Sequence, residues 1–119
     1  MFRHLETHRG SLVNDQLRIR VMDEPGPDGA CHHYRIEYSD QWTWDTHFQE
    51  GYVHDVGING ITIEALLAIV RDRLEGFQSG PYACTENRLA LACIESALEQ
   101  LKTRTKERLE RGVEGTRVL

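Results

Sequence analysis

Residues 84–112 read CTENRLALACIESALEQLKTRTKERLERG, and this stretch decides the second half of the fold. Leucine and isoleucine recur in it at spacings of three and four, as on one face of an α-helix. These apolar positions are Leu91, Ile94, Leu98 and Leu101. The helix is expected to begin at Cys84 or Thr85 and to end at Gly112, because glycine readily adopts the left-handed conformation that closes a helix. At about 1.5 Å per residue, its length is roughly 40 Å.

One stripe of this helix changes character along its length. In steps of three and four it contains Asn87, Ala90, Ile94, Ala97, Leu101, Arg104, Arg108 and Arg111. Its middle is apolar and its end is cationic, so a packing seam leads into a cluster of guanidinium groups. Guanidinium groups pair with phosphate oxygens and stack on flat rings, which favours a phosphorylated ligand that carries a base. The alternative is a solvated face in which the arginines pair with Glu107 and Glu110.

A shorter helix precedes this one. Thr62 is suited to cap its first turn, and apolar residues recur at helical spacing over residues 63–77. Gly80-Pro81 then turns the chain. We expect the two helices to form an antiparallel hairpin over residues 61–112. The last turns of the longer helix extend beyond its partner, so sheet, ligand or a second copy of the protein must cover them.

The first half of the chain alternates with a period of two, which is typical of half-buried strands. The alternating apolar residues are Leu17, Ile19 and Val21, followed by Tyr34, Ile36 and Tyr38. Trp42 and Trp44 fall on one face of a third strand and are expected in the core or an interface. Gly51 is expected to bend the chain into a fourth strand at Tyr52-Val53. The fold class is therefore α+β, with an antiparallel β-meander over residues 11–56.

Composition limits the size and the partners of the protein. With 119 residues, 39% hydrophobic and 28% charged, the chain is long enough for one domain, residues 1–119, with a modest core. A net charge of −5 argues against binding to a nucleic acid polymer. Three cysteines without framework spacing favour free thiols and the cytoplasm. The longest apolar run is too short for a bilayer, so no membrane association is expected.

The first half offers one candidate metal site. Cys31-His32-His33 with His47 or His54 could be imagined around zinc. There is no second cysteine pair at ligand spacing, however, and adjacent histidines on a strand point to opposite faces. No arrangement of nucleophile and base and no phosphate-binding loop motif is present. We therefore expect no metal, no cofactor, no catalytic residues and no enzymatic activity.

Three segments resemble a known family. They are Gly-Ile-Asn-Gly-Ile-Thr at 57–62, Phe-Gln-Ser-Gly-Pro-Tyr-Ala-Cys-Thr-Glu-Asn at 77–87, and Arg-Thr-Lys-Glu-Arg-Leu-Glu-Arg-Gly-Val-Glu-Gly-Thr at 104–116. Over about half of the chain they look like the helical hairpin shared by phage anti-CBASS and Thoeris anti-defence sponge proteins. Those proteins are oligomers that capture cyclic or cyclised nucleotide signals without cleaving them. The β-rich portion before the hairpin favours the Thoeris-directed branch, whose signal is glycocyclic ADP-ribose.

The resemblance implies roles for four residues. Phe77 stacks on a base, Asn87 hydrogen-bonds the ligand, and Arg104 with Arg108 hold its phosphates or ribose. Without the resemblance, Phe77 is more often ordinary core and Asn87 a capping or solvated residue. Asn87 lies some 25 Å from the arginines along one helix, at about 1.5 Å per residue. One ligand can touch both ends only if two protomers contribute, so we expect a homo-oligomer, and the resemblance implies a hexamer.

Two further assignments are less specific. Arg111 is an additional ligand-binding candidate, although an intrahelical ion pair with Glu107 is its alternative. Ser79, Gly80 and Tyr82 are expected to line a second pocket, because small residues with free backbone amides approach phosphates closely.

The function expected from the sequence is non-catalytic sequestration of an immune signal. The ligand is glycocyclic ADP-ribose, or a cyclic oligonucleotide, and capture blocks bacterial anti-phage defence. The protein would act in the bacterial cytoplasm during phage infection or from a prophage. Two alternatives remain: an enzyme that degrades the same signal, which would need an acid-base pair or a metal, and an oligomeric adaptor whose arginines meet an acidic partner.

Overall fold

A computed structural model describes residues 3–119 and shows an α+β fold, as the sequence predicts. Its elements in chain order are β1 (Arg3–Leu5), a 3₁₀ turn (Asn14–Gln16), β2 (Leu17–Val21), β3 (His33–Tyr38), β4 (Trp42–His47), α1 (Val53–Val56), α2 (Ile63–Gln78) and α3 (Thr85–Glu110). Three α-helices are therefore present in the described part of the chain, where the sequence predicts two.

The contacts between Cα atoms divide the chain into two compact units. The sheet unit contains the described residues up to Glu50, together with Ile58–Ile61. The helical unit contains Gly51–Gly57 and Thr62–Leu119. That residues 1–119 act as a single domain stays a prediction.

The sheet unit is an antiparallel sheet in the order β1-β2-β3-β4. β2 and β3 lie where the alternating pattern predicts strands, with Ile19 opposite Ile36 and Val21 opposite Tyr34. Val21 is only 1% exposed and is the centre of a small core. The sequence analysis does not predict β1, because its three residues carry no apolar alternation.

The predicted strand at Tyr52-Val53 is wrong, because this segment leads into the single turn of α1. Gly51 does bend the chain, with φ of +87°. The outer edge after β4 is taken by Ile61 instead, whose N–H donates to the His47 carbonyl at 2.9 Å and whose carbonyl accepts from Gln49 at 2.8 Å. The meander therefore spans residues 3–47 rather than 11–56.

The two tryptophans of β4 do not lie in the core of the chain. Trp42 is 48% exposed and Trp44 is 46% exposed. Their cross-strand neighbours on β3 are Tyr38 and Ile36, so the aromatic side chains extend one face of the sheet without being covered. A core position is therefore wrong for both tryptophans, and the alternative of an interface position stays a prediction.

Helices α2 and α3 begin where the sequence predicts them. The Thr62 hydroxyl accepts the Ala65 N–H at 3.0 Å and caps α2. Cys84 caps α3 with its sulfur, which accepts the Asn87 N–H at 3.4 Å. Thiols are weak acceptors, so the cap of α3 is the weaker of the two. None of the described helices is both long enough and apolar enough to cross a membrane.

Helices α2 and α3 contact each other. An Arg71 guanidinium nitrogen lies 3.8 Å from a Glu95 carboxylate oxygen, and the Gln78 side-chain carbonyl accepts the Cys84 N–H at 3.0 Å. No residue of either helix is buried. The apolar faces of both helices therefore remain partly exposed within one chain.

Candidate ligand-binding site

Phe77 lies in the last turn of α2 and is half-buried. The guanidinium carbon of Arg73 lies 5.1 Å from the centre of the Phe77 ring, within the range of a cation–π interaction. Arg73 forms no ion pair with an acid in residues 3–119. The sequence analysis did not select Arg73, although its position four residues before Phe77 is the spacing that places side chains together on a helix.

Asn87 lies in the first turn of α3, after the connection that follows Phe77. Its backbone N–H donates to the Cys84 sulfur, so the backbone takes part in capping the helix. Its carboxamide side chain is half-buried and has no hydrogen-bond partner within residues 3–119. Both a donor and an acceptor therefore remain available to a ligand at this position.

The three arginines of the stripe have different surroundings. Arg104 is exposed, and its side chain forms no hydrogen bond or ion pair with any described residue. Arg108 is half-buried and donates from Nη2 to the carbonyls of Val113 at 2.8 Å and Thr116 at 3.2 Å.

Arg111 has two partners. It pairs with Glu107 at 3.2 Å and donates to the Leu119 carbonyl at 2.7 Å. The intrahelical ion pair, which is the alternative to ligand binding for Arg111, is therefore present. Among the three arginines, Arg104 alone has a fully unengaged guanidinium.

One chain does not bring the four predicted residues to one place. α3 is continuous over Thr85–Glu110, so Asn87 and Arg104 are separated by some 25 Å at about 1.5 Å per residue. Arg104 and Arg108, four residues apart, share one face of the helix. The candidate site therefore has two halves: an aromatic and amide half at Phe77 and Asn87, and a cationic half at Arg104 and Arg108.

The backbone amides in the connection between α2 and α3 do not have the role that the sequence analysis expects. The Ser79 N–H donates to the Glu75 carbonyl at 3.0 Å, and the Gly80 N–H donates to the Phe77 carbonyl at 3.2 Å. These amides close the end of α2 and are not free for a phosphate, so that part of the reasoning is wrong. Tyr82 is 75% exposed. The second pocket at Ser79, Gly80 and Tyr82 stays a prediction.

A groove of about 740 Å³ runs between α2 and α3. Its apolar lining includes Ala65, Ala68 and Leu98, and its charged lining includes Glu99 and Lys102. It is an open surface of the helical unit. Shape and lining of this kind are typical of surfaces that bind a partner.

Two histidines of the sheet unit, His33 and His47, contact each other, and His33 also contacts an acidic neighbour. His33 Nε2 donates to Asp45 at 2.7 Å, and its ring stacks on His47 with 4.1 Å between the centres. Within residues 3–119, no three side chains of the metal-ligating types are grouped closely enough to hold a metal ion.

Comparison with known proteins shows a similarity to a phage protein. No family model matches the chain. Its sequence is 48% identical over 69 residues to Thoeris anti-defense 1 of Bacillus phage SBSphiJ7. The aligned region covers 58% of this chain and 49% of the phage protein, so the chain spans about half the length of the curated relative it matches. This identity confirms the resemblance to phage Thoeris anti-defence proteins that the three sequence segments predict.

Proposed function

We propose that this protein sequesters a cyclic or cyclised nucleotide signal and so blocks a bacterial anti-phage defence, without chemical change to the ligand. Glycocyclic ADP-ribose is the favoured signal, and cyclic oligonucleotides are the second class. The observation that carries the proposal is the unengaged Arg104 guanidinium, one turn from Arg108 on the same face of α3. The name of the relative supports the anti-defence role.

The chemistry of the two half-sites fits a nucleotide. Arg104 and Arg108 present planar donor groups one helical turn apart, a spacing suited to adjacent phosphate groups. Phe77 offers a ring, and Arg73 beside it adds a cation that also stacks on flat bases. The free carboxamide of Asn87 supplies the paired donor and acceptor that a base edge requires. Capture needs only these contacts and no positioned acid or base.

If one ligand contacts both half-sites, their separation means that a second chain contributes one of them. If the arginines of one protomer meet Phe77 and Asn87 of an antiparallel neighbour, ligand binding and assembly are coupled. The absence of buried residues in α2 and α3, and the groove between them, support assembly through the helical unit. We propose a homo-oligomer, a hexamer, acting in the bacterial cytoplasm during infection or from a prophage. Light scattering coupled to size-exclusion chromatography measures the subunit number with and without ligand.

The decisive experiment is calorimetric titration of the purified protein with glycocyclic ADP-ribose and with cyclic di- and trinucleotides. The protein is then denatured by heat and the released ligand is chromatographed. Tight binding with intact release supports sequestration and names the signal. An altered product indicates an enzyme. Absence of binding to all of these ligands contradicts the proposal and favours the adaptor function.

Arg18→Ala is a matched control for the site. Arg18 is an exposed residue of β2, and like that of Arg104 its side chain forms no hydrogen bond or ion pair with a described residue. Both substitutions remove the same charge and the same side chain. Only Arg104→Ala is expected to weaken binding, whereas a non-specific effect of net charge would weaken binding in both variants.

A further inference from the structure

Arg108 is bound twice to a residue that follows the end of α3. The Val113 N–H donates to the Arg108 carbonyl at 3.0 Å, and Arg108 Nη2 donates to the Val113 carbonyl at 2.8 Å. Nη2 also donates to the Thr116 carbonyl at 3.2 Å. We infer that the turn formed by residues 112–116, called here the C-terminal turn, positions Arg108 for ligand binding. This inference rests on the proposed function.

The backbone geometry of the C-terminal turn is well defined. Gly112 has φ of +72°, and its N–H donates to the Leu109 carbonyl at 3.0 Å. Together with the bond from Val113 to Arg108, this is the Schellman arrangement, which turns the chain back on the last helical turn. The backbone N–H and the hydroxyl of Thr116 both donate to the Val113 carbonyl. The carbonyl that holds Arg108 is thus held in turn by Thr116.

The C-terminal turn is also attached to α1. The His54 N–H donates to the Gly115 carbonyl at 3.1 Å. Gly115 has φ of +77°, and a Cβ atom at this position would lie 2.8 Å from His54 Cδ2. Just after the turn, Arg117 Nε donates to the Asp55 carboxylate at 2.8 Å. A close backbone approach at Gly115 and an ion pair beyond it therefore fix the turn against a second element of the helical unit.

Holding Arg108 in place lowers the free-energy cost of ligand binding. Arginine is a long side chain, and ordering it costs free energy when a ligand binds. With Nη2 held by two carbonyls, Arg108 has already lost much of this freedom, while Nη1 and Nε remain for an anion. Arg104 has no such support. Arg108 therefore acts as the preformed half of the cationic pair, and the C-terminal turn acts through it without touching the ligand.

The inference is tested with the full chain and glycocyclic ADP-ribose as the titrant. Thr116→Val removes the hydroxyl and keeps the shape of the side chain, and Gly115→Ala disturbs the approach to His54. Each is expected to weaken binding about threefold to tenfold, the range for loss of one ordered long side chain. Thr116→Ser retains the hydroxyl and is expected to bind as the wild type does. Gly57→Ala is the control for backbone strain, because Gly57 has φ of +76° and no neighbour within 4 Å of a Cβ.

Combination with Arg108→Ala separates positioning from general damage. If the C-terminal turn acts through Arg108, Thr116→Val causes no further loss of binding once Arg108 is alanine. An equal loss in both backgrounds overturns the inference. Wild-type binding by Thr116→Val and Gly115→Ala, with weakened binding by Arg108→Ala, also overturns it but leaves the proposed function intact. Unchanged binding by Arg108→Ala contradicts the site assignment itself.

A measurement without ligand tests the positioning if no nucleotide binds. Nitrogen-15 NMR of the arginine side chains reports rotation of each guanidinium group. Arg108 is expected to be restricted relative to Arg104 in the wild type and to approach the mobility of Arg104 in Thr116→Val. Equal mobility of the two groups in the wild type overturns the inference.

Discussion

The sheet unit and the helical unit differ in how far each covers its own apolar residues. The buried residues of the described chain are Val21, Cys31, His32 and Thr46. All four belong to the sheet unit, and no residue of the helical unit is buried. A small sheet thus has a core of its own, whereas two amphipathic helices leave apolar surface exposed within one chain.

The two units also differ in how far their polar groups are paired within the chain. In the sheet unit, the Asp23 carboxylate accepts the N–H groups of His32 at 2.9 Å and His33 at 3.2 Å. In the helical unit, Arg73 and Arg104 have no acidic partner within residues 3–119. Satisfied polar groups stabilise a structure, while unpaired cations on a surface are suited to recognition. We therefore expect mutations in the sheet unit to change mainly stability, and mutations in the helical unit to change mainly binding and assembly.

The largest expected effect is on binding. Arg104→Ala should weaken binding of glycocyclic ADP-ribose by about 2 to 4 kcal/mol, the loss of one or two charge-assisted hydrogen bonds. Its unfolding free energy should stay unchanged, because no hydrogen bond or ion pair with a described residue is lost. Arg108→Ala should weaken binding similarly and also lower stability by about 1 to 2 kcal/mol, since the Val113 and Thr116 carbonyls each lose one hydrogen bond. Calorimetry measures binding, and urea denaturation measures the free energy of unfolding. Equal losses of stability in both variants would contradict the different surroundings of Arg104 and Arg108.

The second largest expected effect is on the free energy of unfolding, and it differs between apolar residues of the two units. Val21→Ala should reduce the free energy of unfolding by about 2 kcal/mol, because two buried methyl groups are lost and a cavity remains. Leu109→Ala in α3 should cost less than about 0.5 kcal/mol in the monomer, since Leu109 is 62% exposed. Denaturation at several protein concentrations checks both. A large, concentration-dependent loss for Leu109→Ala would place this residue in an interface between copies.

The third effect depends on pH. Burial alone would raise the pKa of Asp23, but hydrogen bonds from the His32 and His33 backbones outweigh it and lower the pKa below the usual 3.8. A carboxyl whose pKa is lower in the folded state adds stability above its unfolded pKa and loses this contribution as pH falls through the folded pKa. Asp23→Asn should therefore cost about 1 to 2 kcal/mol near pH 7. Thermal unfolding of both proteins, measured from pH 6 down to about pH 2, should show a smaller difference in the acid, and a constant difference would contradict this role.

The smallest expected effect is the loss of stability when one of two helix caps in the helical unit is removed. Thr62→Ala removes the hydroxyl cap of α2 and should cost about 1 kcal/mol. Cys84→Ala removes a sulfur acceptor at 3.4 Å and should cost only a few tenths of a kcal/mol, because sulfur accepts weakly. Circular dichroism during urea titration measures both. Equal costs would show that the Cys84 cap is as strong as a hydroxyl cap.

Much of the fold could be predicted because it depends on local patterns. Helical spacing and caps located the starts of α2 and α3, and alternation located β2 and β3. The predictions were wrong where the structure depends on which distant segments lie against each other. Nothing in the local sequence of Tyr52-Val53 shows that Ile61 occupies the edge after β4. Similarly, alternation places Trp42 and Trp44 on one face but does not show whether anything covers that face.

The candidate site could be predicted only as a set of residues. The sequence determined the α+β class, the arginine row on one face of α3, and the separation of that row from Asn87, because all three follow from the periods of strands and helices. Only the tertiary structure decided that Arg108 is held by Val113 and Thr116 while Arg104 is free. The physical reason is that one helical period places both arginines on the same face. Their different surroundings arise from the return of the chain beyond Gly112, which no periodicity within the helix encodes.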